Sequence, residues 1–157
     1  MSEATVMKAL DTLSGAMATA FVTIEGKRYN LMQLFSFEAK MEINSIEVSI
    51  LGRTGKGTKN CGWSGKWSGE AHYNQSVFRN LWLKYKKDGT MPVIDIQITN
   101  EDKTSSAGRQ TIILKNCLTN GGVLAKFNAD SKVLTESISG TFDDWEMPEQ
   151  FSLISGM

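Results

Sequence analysis

The chain has 157 residues and a mass of 17.4 kDa, a size typical of a single domain. Because 41% of its residues are hydrophobic and 22% are charged, the composition is globular, which argues against a disordered or fibrous protein. Seventeen basic residues balance seventeen acidic ones, which argues against tight binding to nucleic acid. No apolar run approaches the ~20 residues of a membrane span and no signal-peptide pattern is present, so we expect no membrane span and a location in the cytoplasm of the producing cell.

Residues that could carry catalysis are scarce. His72 is the single histidine, which leaves little for a zinc site or a Ser-His-Asp triad. Cys61 and Cys117 are too far apart for a CxxC site and are predicted to be free thiols. The segment Gly52–Lys59 has Thr58 where a phosphate-binding loop requires lysine, and a predicted strand follows it instead of a helix. The sequence therefore predicts no enzyme, no cofactor and no metal site.

The elements predicted along the chain are mostly strands. Residues 1–17 are small, polar and weakly helical and are predicted to form an N-terminal arm, and residues 148–157 a short C-terminal tail. The dipeptide Glu25-Gly26 predicts a tight turn between the first two strands. Strand patterns cover residues 20–24, 29–34, 35–44, 46–50, 63–73, 93–99, 111–118, 122–128 and 133–145.

The clearest alternation of apolar and polar side chains lies in the third predicted strand. Its apolar face holds Phe35, Phe37, Ala39, Met41 and Ile43, and its polar face holds Ser36, Glu38, Lys40, Glu42 and Asn44. A period of two over this length predicts a strand with one buried and one solvated face. The apolar positions resume at Ile46 in the opposite phase, so we expect a bulge or bend near Asn44-Ser45.

A near-repeat of Trp-Ser-Gly begins at Trp63 and again at Trp67. In a strand, both tryptophans share one face with Gly65 and Gly69. Because glycine has no side chain, this face should contain hollows that large rings from another surface can fill.

One amphipathic helix is predicted over Ser76–Asp88, with Ser76 as N-cap and Gly89 as the stop. Its expected core stripe is Val77, Phe78, Leu81, Trp82 and Tyr85, and its basic last turn is Lys84, Lys86 and Lys87. Many strands around a single helix predict a mainly β (α+β) fold, an antiparallel β-sandwich or barrel in one domain over residues 1–157, with the helix covering one end.

The order of several segments resembles a known family. These segments are Asn44–Arg53, Glu101–Arg109, Asp130–Glu136 and Thr141–Glu149. Together they are similar to the tail-tube proteins of contractile phage tails, above all those of Bacillus-type defective prophages and clostridial phage-tail-like bacteriocins. The resemblance runs from about Leu13 to Phe151. The long N-terminal arm and the doubled Trp-Ser-Gly unit depart from the family pattern.

The resemblance implies a structural protein without an active site. It implies hexameric rings that stack into a tube inside a contractile sheath, conducting DNA in a phage or perforating a target envelope in a bacteriocin. The implied partners are further copies of the chain, the sheath protein, and the tape-measure, baseplate and tail-terminator proteins, with DNA as transient cargo. The implied location is the producing bacterium and then the tail particle.

Three sets of residues are expected to serve assembly. The polar face Ser36, Glu38, Lys40 and Glu42 is expected to line the lumen, and the helix edge Lys84, Lys86 and Lys87 to face the sheath. The segment 51–62 is expected to be a projecting hairpin loop that becomes ordered by the neighbouring ring. Its basic residues Arg53, Lys56 and Lys59 are expected to meet Asp143, Asp144, Glu146 and Glu149 of another subunit.

A rival interpretation is a small soluble binding module. In this reading Trp63 and Trp67 form an exposed platform for a ligand such as a carbohydrate, and the chain stays monomeric. The state of assembly distinguishes the two interpretations.

Overall fold

The computed structural model describes residues 6–154 and 156–157. Within these residues, a short 3-10 helix at Ala9–Asp11 precedes eight strands and one helix. Their bounds are β1 Ala18–Ile24, β2 Lys27–Asn30, β3 Leu34–Val48, β4 Gly57–His72, α1 Val77–Asp88, β5 Ile94–Glu101, β6 Arg109–Gly122, β7 Thr135–Phe142 and β8 Asp144–Glu149. All pairings are antiparallel, so the predicted fold class is confirmed. No helix among the described residues is long and apolar enough to span a membrane.

The strands form two sheets that share β6. Sheet A has the order β2-β1-β5-β6 with β8 on the far side of β6, and sheet B has the order β6-β7-β4-β3. The first half of β6 pairs with β5 and β8, and its last part, from Leu118 to Gly122, pairs with β7. A positive φ of 53° at Asn116 marks the point where β6 passes from one sheet to the other.

The core lies between the two sheets and the helix. Its largest fully buried side chains are Trp67, Ile94, Ile96, Leu114, Val22 and Cys117. From α1, Phe78, Leu81 and Trp82 are buried against them. Burial raises the pKa of the Cys117 thiol to about 12, so this thiol stays protonated at neutral pH.

The helix ends where predicted. Gly89 adopts a left-handed conformation (φ 71°) and its N–H donates to the carbonyl of Tyr85, which closes the last turn. Ser76 occupies the N-cap position, but its side chain makes no capping hydrogen bond. Tyr85 was expected in the core and is instead 54% exposed.

The glycine hollows predicted on β4 are filled by aromatic rings. The Phe142 ring covers Gly65 so closely that a side chain at that position would collide with it. Gly69 faces the Phe37 ring, 3.3 Å from where a Cβ would lie, and the Ser36 carbonyl at 2.8 Å. These rings come from the neighbouring strands β7 and β3, and not from an opposing surface.

Several predicted boundaries are wrong. β4 begins at Gly57, so the predicted loop 51–62 is shorter and only residues 49–56 connect β3 to β4. Residues 123–134 form a loop where a strand was expected at 122–128. The predicted strand 133–145 is divided at Asp143, because β7 pairs in sheet B and β8 in sheet A.

Candidate assembly surfaces

The polar face of β3 belongs to a wider polar surface on sheet B. In the register of the sheet, Glu38 lies opposite Ser68, and Lys40 opposite Lys66. Lys66 in turn lies opposite Thr141 of β7. The predicted lumen residues Ser36, Glu38, Lys40 and Glu42 thus share this face with Ser64, Lys66, Ser68 and Glu70 of β4 and Ser137, Ser139 and Thr141 of β7. We name this set the polar face.

The charges on the polar face nearly cancel. The Lys40 ammonium lies 3.0 Å from the Glu38 carboxylate, and both side chains are exposed. Glu42 and Glu70 add two negative charges and Lys66 one positive charge. A face with this balance attracts neither polyanions nor polycations strongly.

The opposite face of β3 is bare over most of its length. The alternation predicted a buried apolar face, but the subunit covers only its beginning, where Phe37 stacks on Trp67 with ring centroids 6.0 Å apart. Met41 and Ile43 are exposed, and Ile43 retains 59% of its accessible surface. The predicted irregularity near Asn44-Ser45 is present, as a register shift between Ile43 and Ser45.

β3 is also an edge strand. Within residues 6–154, β4 is its one strand partner, so the outer edge of Leu34–Val48 is free over fifteen residues. A long edge strand with exposed apolar side chains readily pairs with another chain. The expectation of a half-buried strand is therefore wrong for the single subunit.

The other border of sheet B also has a free edge. β5 pairs with β6 only as far as Cys117. The last part of β6, Leu118–Gly122, pairs with β7 on one side, and on its other side no described strand pairs with it. An apolar groove lies beside this edge, lined by Trp82, Tyr85, Met91 and Leu118 together with residues 119–121. The Trp82 indole N–H donates to the Thr119 hydroxyl at 2.5 Å, which fixes one wall of the groove.

The predicted contact between basic loop and acidic cluster does not form within one subunit. Near the hairpin tip, Lys56 lies 3.8 Å from Glu47 of the same hairpin, and both side chains are exposed. Glu149 is held by Arg109 at 2.7 Å and by the Thr111 hydroxyl, and these hydrogen bonds lower its pKa. The remaining tip residues Arg53 and Lys59 and the acidic residues Asp143, Asp144 and Glu146 are exposed, with Glu146 3.9 Å from Lys115.

The basic edge of α1 is only partly available. Lys84 lies 2.6 Å from Glu25 of the β1–β2 turn, and this pairing raises the pKa of Lys84. Lys86 and Lys87 are exposed, and in the part of the chain that the structure describes neither forms an ion pair. Of the three lysines predicted to face the sheath, two thus form no ion pair among the described residues.

A buried ion pair that the sequence analysis missed anchors α1. The Arg79 guanidinium lies 2.9 Å from the Glu136 carboxylate, and both side chains are largely buried. Arg79 also donates to the carbonyl of Val123 and stacks over the Tyr73 ring, 4.6 Å from its centroid. The alternation of side chains along β7 could have indicated that Glu136 is buried, because Glu136 lies on the same face as the buried Ile138.

The described part of the predicted N-terminal arm is attached to the subunit. The Asp11 carboxylate accepts hydrogen bonds from the N–H and hydroxyl of Ser106, and the Asp102 carboxylate accepts them from Ser14 and Thr104. These bonds lower the pKa of both carboxyl groups. The C-terminal tail is attached beside them through the Ser152 N–H. Residues 1–5 of the predicted arm lie outside the described residues.

Acid should therefore loosen the arm. Since the pKa of Asp102 is lowered in the folded state, its stabilisation is present above the unfolded value near 3.9 and is lost as the pH falls through the lower folded value. We expect the melting temperature of the wild type to fall more between pH 5 and pH 3 than that of Asp102→Asn, measured by circular dichroism. Asp130→Asn, at an exposed loop carboxylate, serves as the control and should behave like the wild type. Identical losses in wild type and Asp102→Asn would contradict the prediction.

The tryptophan platform of the rival interpretation does not exist. Trp67 is only 2% exposed, enclosed by Phe37, Phe78 and the backbone at Gly140. Of these two tryptophans, only Trp63 reaches the surface. One partly exposed ring is a weak basis for carbohydrate binding, and nothing else on this face favours it.

Comparison with known proteins identifies the relatives of this chain. The family described as "Phage tail tube protein" matches residues 5–149. The phage-like element PBSX protein XkdM of Bacillus subtilis (strain 168) is 30% identical over 146 residues, which cover 93% of this chain and 97% of that protein. The uncharacterized protein YqbM of the same organism is 30% identical over 144 residues, covering 92% of this chain and 95% of YqbM.

Solved structures show the same fold at low sequence identity. A chain of the anti-feeding prophage cap, the tube terminating cap, superposes with a TM-score of 0.66 at 11% identity, covering 96% of this chain and 97% of that one. A chain of the sheath-tube complex of an extracellular contractile injection system gives 0.59 at 14% identity, with coverages of 82% and 86%. With the family match over nearly the whole length, the chain belongs to the phage tail tube family and is a structural subunit of a phage-like tail tube.

Proposed function

We propose that six copies of this chain join side by side into a ring through the two free edges of sheet B. The observation that carries this is the pair of open borders, β3 on one side and Leu118–Gly122 on the other, each beside exposed apolar side chains. The strands of sheet B alternate in direction from β3 to β6, so β3 of one copy would meet β6 of the next in antiparallel orientation. Copies related by rotation around a ring axis would therefore continue the antiparallel sheet from one subunit to the next.

The side chains beside the two edges are complementary. Met41 and Ile43 lie on the face of β3 that turns away from the polar face, and the groove at Trp82, Tyr85 and Met91 lies on the core side of β6. Joining the edges would bring the two bare apolar surfaces together and remove both from water. Each fully buried large side chain contributes about 1.5–3 kcal/mol to such a joint.

The polar face would then line the lumen. Six copies would close a sheet of ~24 strands, which at ~4.8 Å per strand has a diameter of about 37 Å. Sheet A and α1 pack on the core face of sheet B. Six copies of these elements do not fit inside such a ring, so the core face points outward and the polar face inward.

The remaining assignments follow from this orientation. A lumen with balanced charges such as Glu38–Lys40 would let DNA or a tape-measure protein pass without being trapped. The helix lies on the outer side, where Lys86 and Lys87 would be available to a sheath protein. Baseplate and terminator proteins would contact the end rings, after synthesis of the subunit in the bacterial cytoplasm.

Labelling of intact tubes tests the lumen assignment. Because Cys61 is exposed, the variants are made in a Cys61→Ser background. In intact tubes, Lys40→Cys should react with a small maleimide but not with a bulky, protein-coupled maleimide. The control Lys87→Cys should react with both, and free subunits of either variant should react with both. Equal reaction of Lys40→Cys and Lys87→Cys with the bulky reagent in intact tubes would refute the assignment.

A further inference from the structure

The hairpin formed by β3 and β4 ends in an exposed apolar patch. We call this the tip patch, formed by Ile46, Val48, Ile50 and Leu51, of which Leu51 is completely exposed. The turn beneath it has a defined shape, because the Arg53 N–H donates to the Ile50 carbonyl and Gly52 has a φ of 86° that favours glycine. The patch is thus presented on a structured hairpin, which reduces the conformational entropy that docking would cost.

A second apolar patch lies on the loop between β6 and β7. We call this the base patch, formed by Leu124 and Phe127, whose ring is 91% exposed. The loop is held at its start, since Arg79 donates to the Val123 carbonyl and the Tyr73 hydroxyl to the Leu124 carbonyl. An aromatic ring this exposed on a tethered loop is unusual for a surface that stays in water.

The two patches lie at opposite ends of sheet B. β4 leaves the tip at Gly57 and ends at His72, which pairs with Thr135 where the base loop enters β7. This span is about 50 Å along the strand, from the usual rise of ~3.3 Å per residue. If copies of sheet B pair edge to edge, they form a closed sheet around the ring axis. The ends of its strands then lie at the two flat faces of the ring. The tip patch therefore lies on one face and the base patch on the other.

We propose that the tip patch of one copy docks on the base patch of a copy in the adjacent ring. This proposal rests on the ring joint described above. Because the two patches differ and lie at opposite ends, the contact is head-to-tail, and such a contact repeats without limit and gives every ring the same orientation. It differs from the acidic receptor expected for the basic hairpin tip, of which Glu149 is already bound by Arg109.

Two single substitutions test the proposal. Leu51→Glu blocks the tip patch and Phe127→Glu blocks the base patch, both at positions that contribute nothing to the core. Each variant should fold with the melting temperature of the wild type and still form rings, but mean tube length by negative-stain microscopy should fall at least tenfold. Leu153→Glu, which places the same charge at another exposed leucine, should give tubes of normal length.

Mixing the two blocked variants tests whether the patches meet each other. A Leu51→Glu ring keeps its base patch and a Phe127→Glu ring keeps its tip patch, so the mixture should form pairs of rings and stop there. Normal tubes from either variant, short tubes from Leu153→Glu, or no ring pairs in the mixture would each overturn the proposal. If the wild type forms no rings at all, the ring joint itself fails, and that result is distinct from the other three.

Discussion

Replacing Arg79 by alanine should lower the free energy of unfolding by about 3–5 kcal/mol, the largest loss of stability expected from a single charged residue here. The substitution leaves the Glu136 carboxylate, whose side chain is 7% exposed, without its ion-pair partner. It also removes the donor to the Val123 carbonyl and the guanidinium over the Tyr73 ring. Urea unfolding followed by circular dichroism measures the change.

A paired substitution separates the buried charge from simple loss of packing. In Arg79→Met combined with Glu136→Leu, neither charge remains, and apolar groups of similar volume fill the site. This double variant should recover most of the stability, since replacing both partners of a buried pair by apolar groups is often neutral. If the double variant were as unstable as Arg79→Ala, the loss of stability in Arg79→Ala would not come from the unpaired Glu136 carboxylate.

The local pattern of the sequence determined much of the fold. The helix could be bounded to within one residue because its apolar stripe, its basic last turn and Gly89 agree with one another. The register shift between Ile43 and Ser45 was visible in the sequence as a change of phase before Ile46. These features depend on residues close in the chain, which is why they could be read without knowledge of the tertiary structure.

The errors arise where distant contacts override local preference. Gly57–Gly62 carries two glycines and a lysine, a composition typical of a loop, yet it is strand because β3 pairs with it through residues such as Val48 and Ile46. Residues 123–128 have strand-like composition, but β7 returns toward sheet B and this loop has no partner strand among the described residues. Asp143 interrupts a continuous pattern because two different sheets share β6.

The sequence predicted which face of β3 carries the polar side chains, but it did not predict that β3 is an edge strand. Alternation identified the polar face from Ser36 to Asn44, since polar side chains at every second position need no knowledge of neighbours. The same alternation predicted that Met41 and Ile43 would be buried. It could not show that the subunit itself leaves them exposed. In the proposed ring joint, a second copy covers this regular apolar face.

Replacing Ile43 by aspartate should abolish ring formation while leaving the subunit folded. Ile43 is 59% exposed, so its loss costs the isolated chain little, about 1 kcal/mol or less from reduced strand propensity. In the proposed joint the same position is buried, and the substitution removes about 1.5–3 kcal/mol of apolar burial and places a carboxylate in an apolar groove. Sedimentation velocity should show monomers at concentrations where the wild type is fully assembled.

The neighbouring residue provides a matched control for this substitution. Asn44→Asp adds the same carboxylate one position along the same edge strand, but alternation places it on the polar face. If that face lines an aqueous lumen, the added charge stays solvated and rings should form as in the wild type. Loss of rings in both variants would indicate that any negative charge on β3 prevents assembly, and rings in both would place the joint away from this edge. Only loss at Ile43 with retention at Asn44 supports a ring in which β3 pairs with the next subunit, its apolar face buried and its polar face open to the lumen.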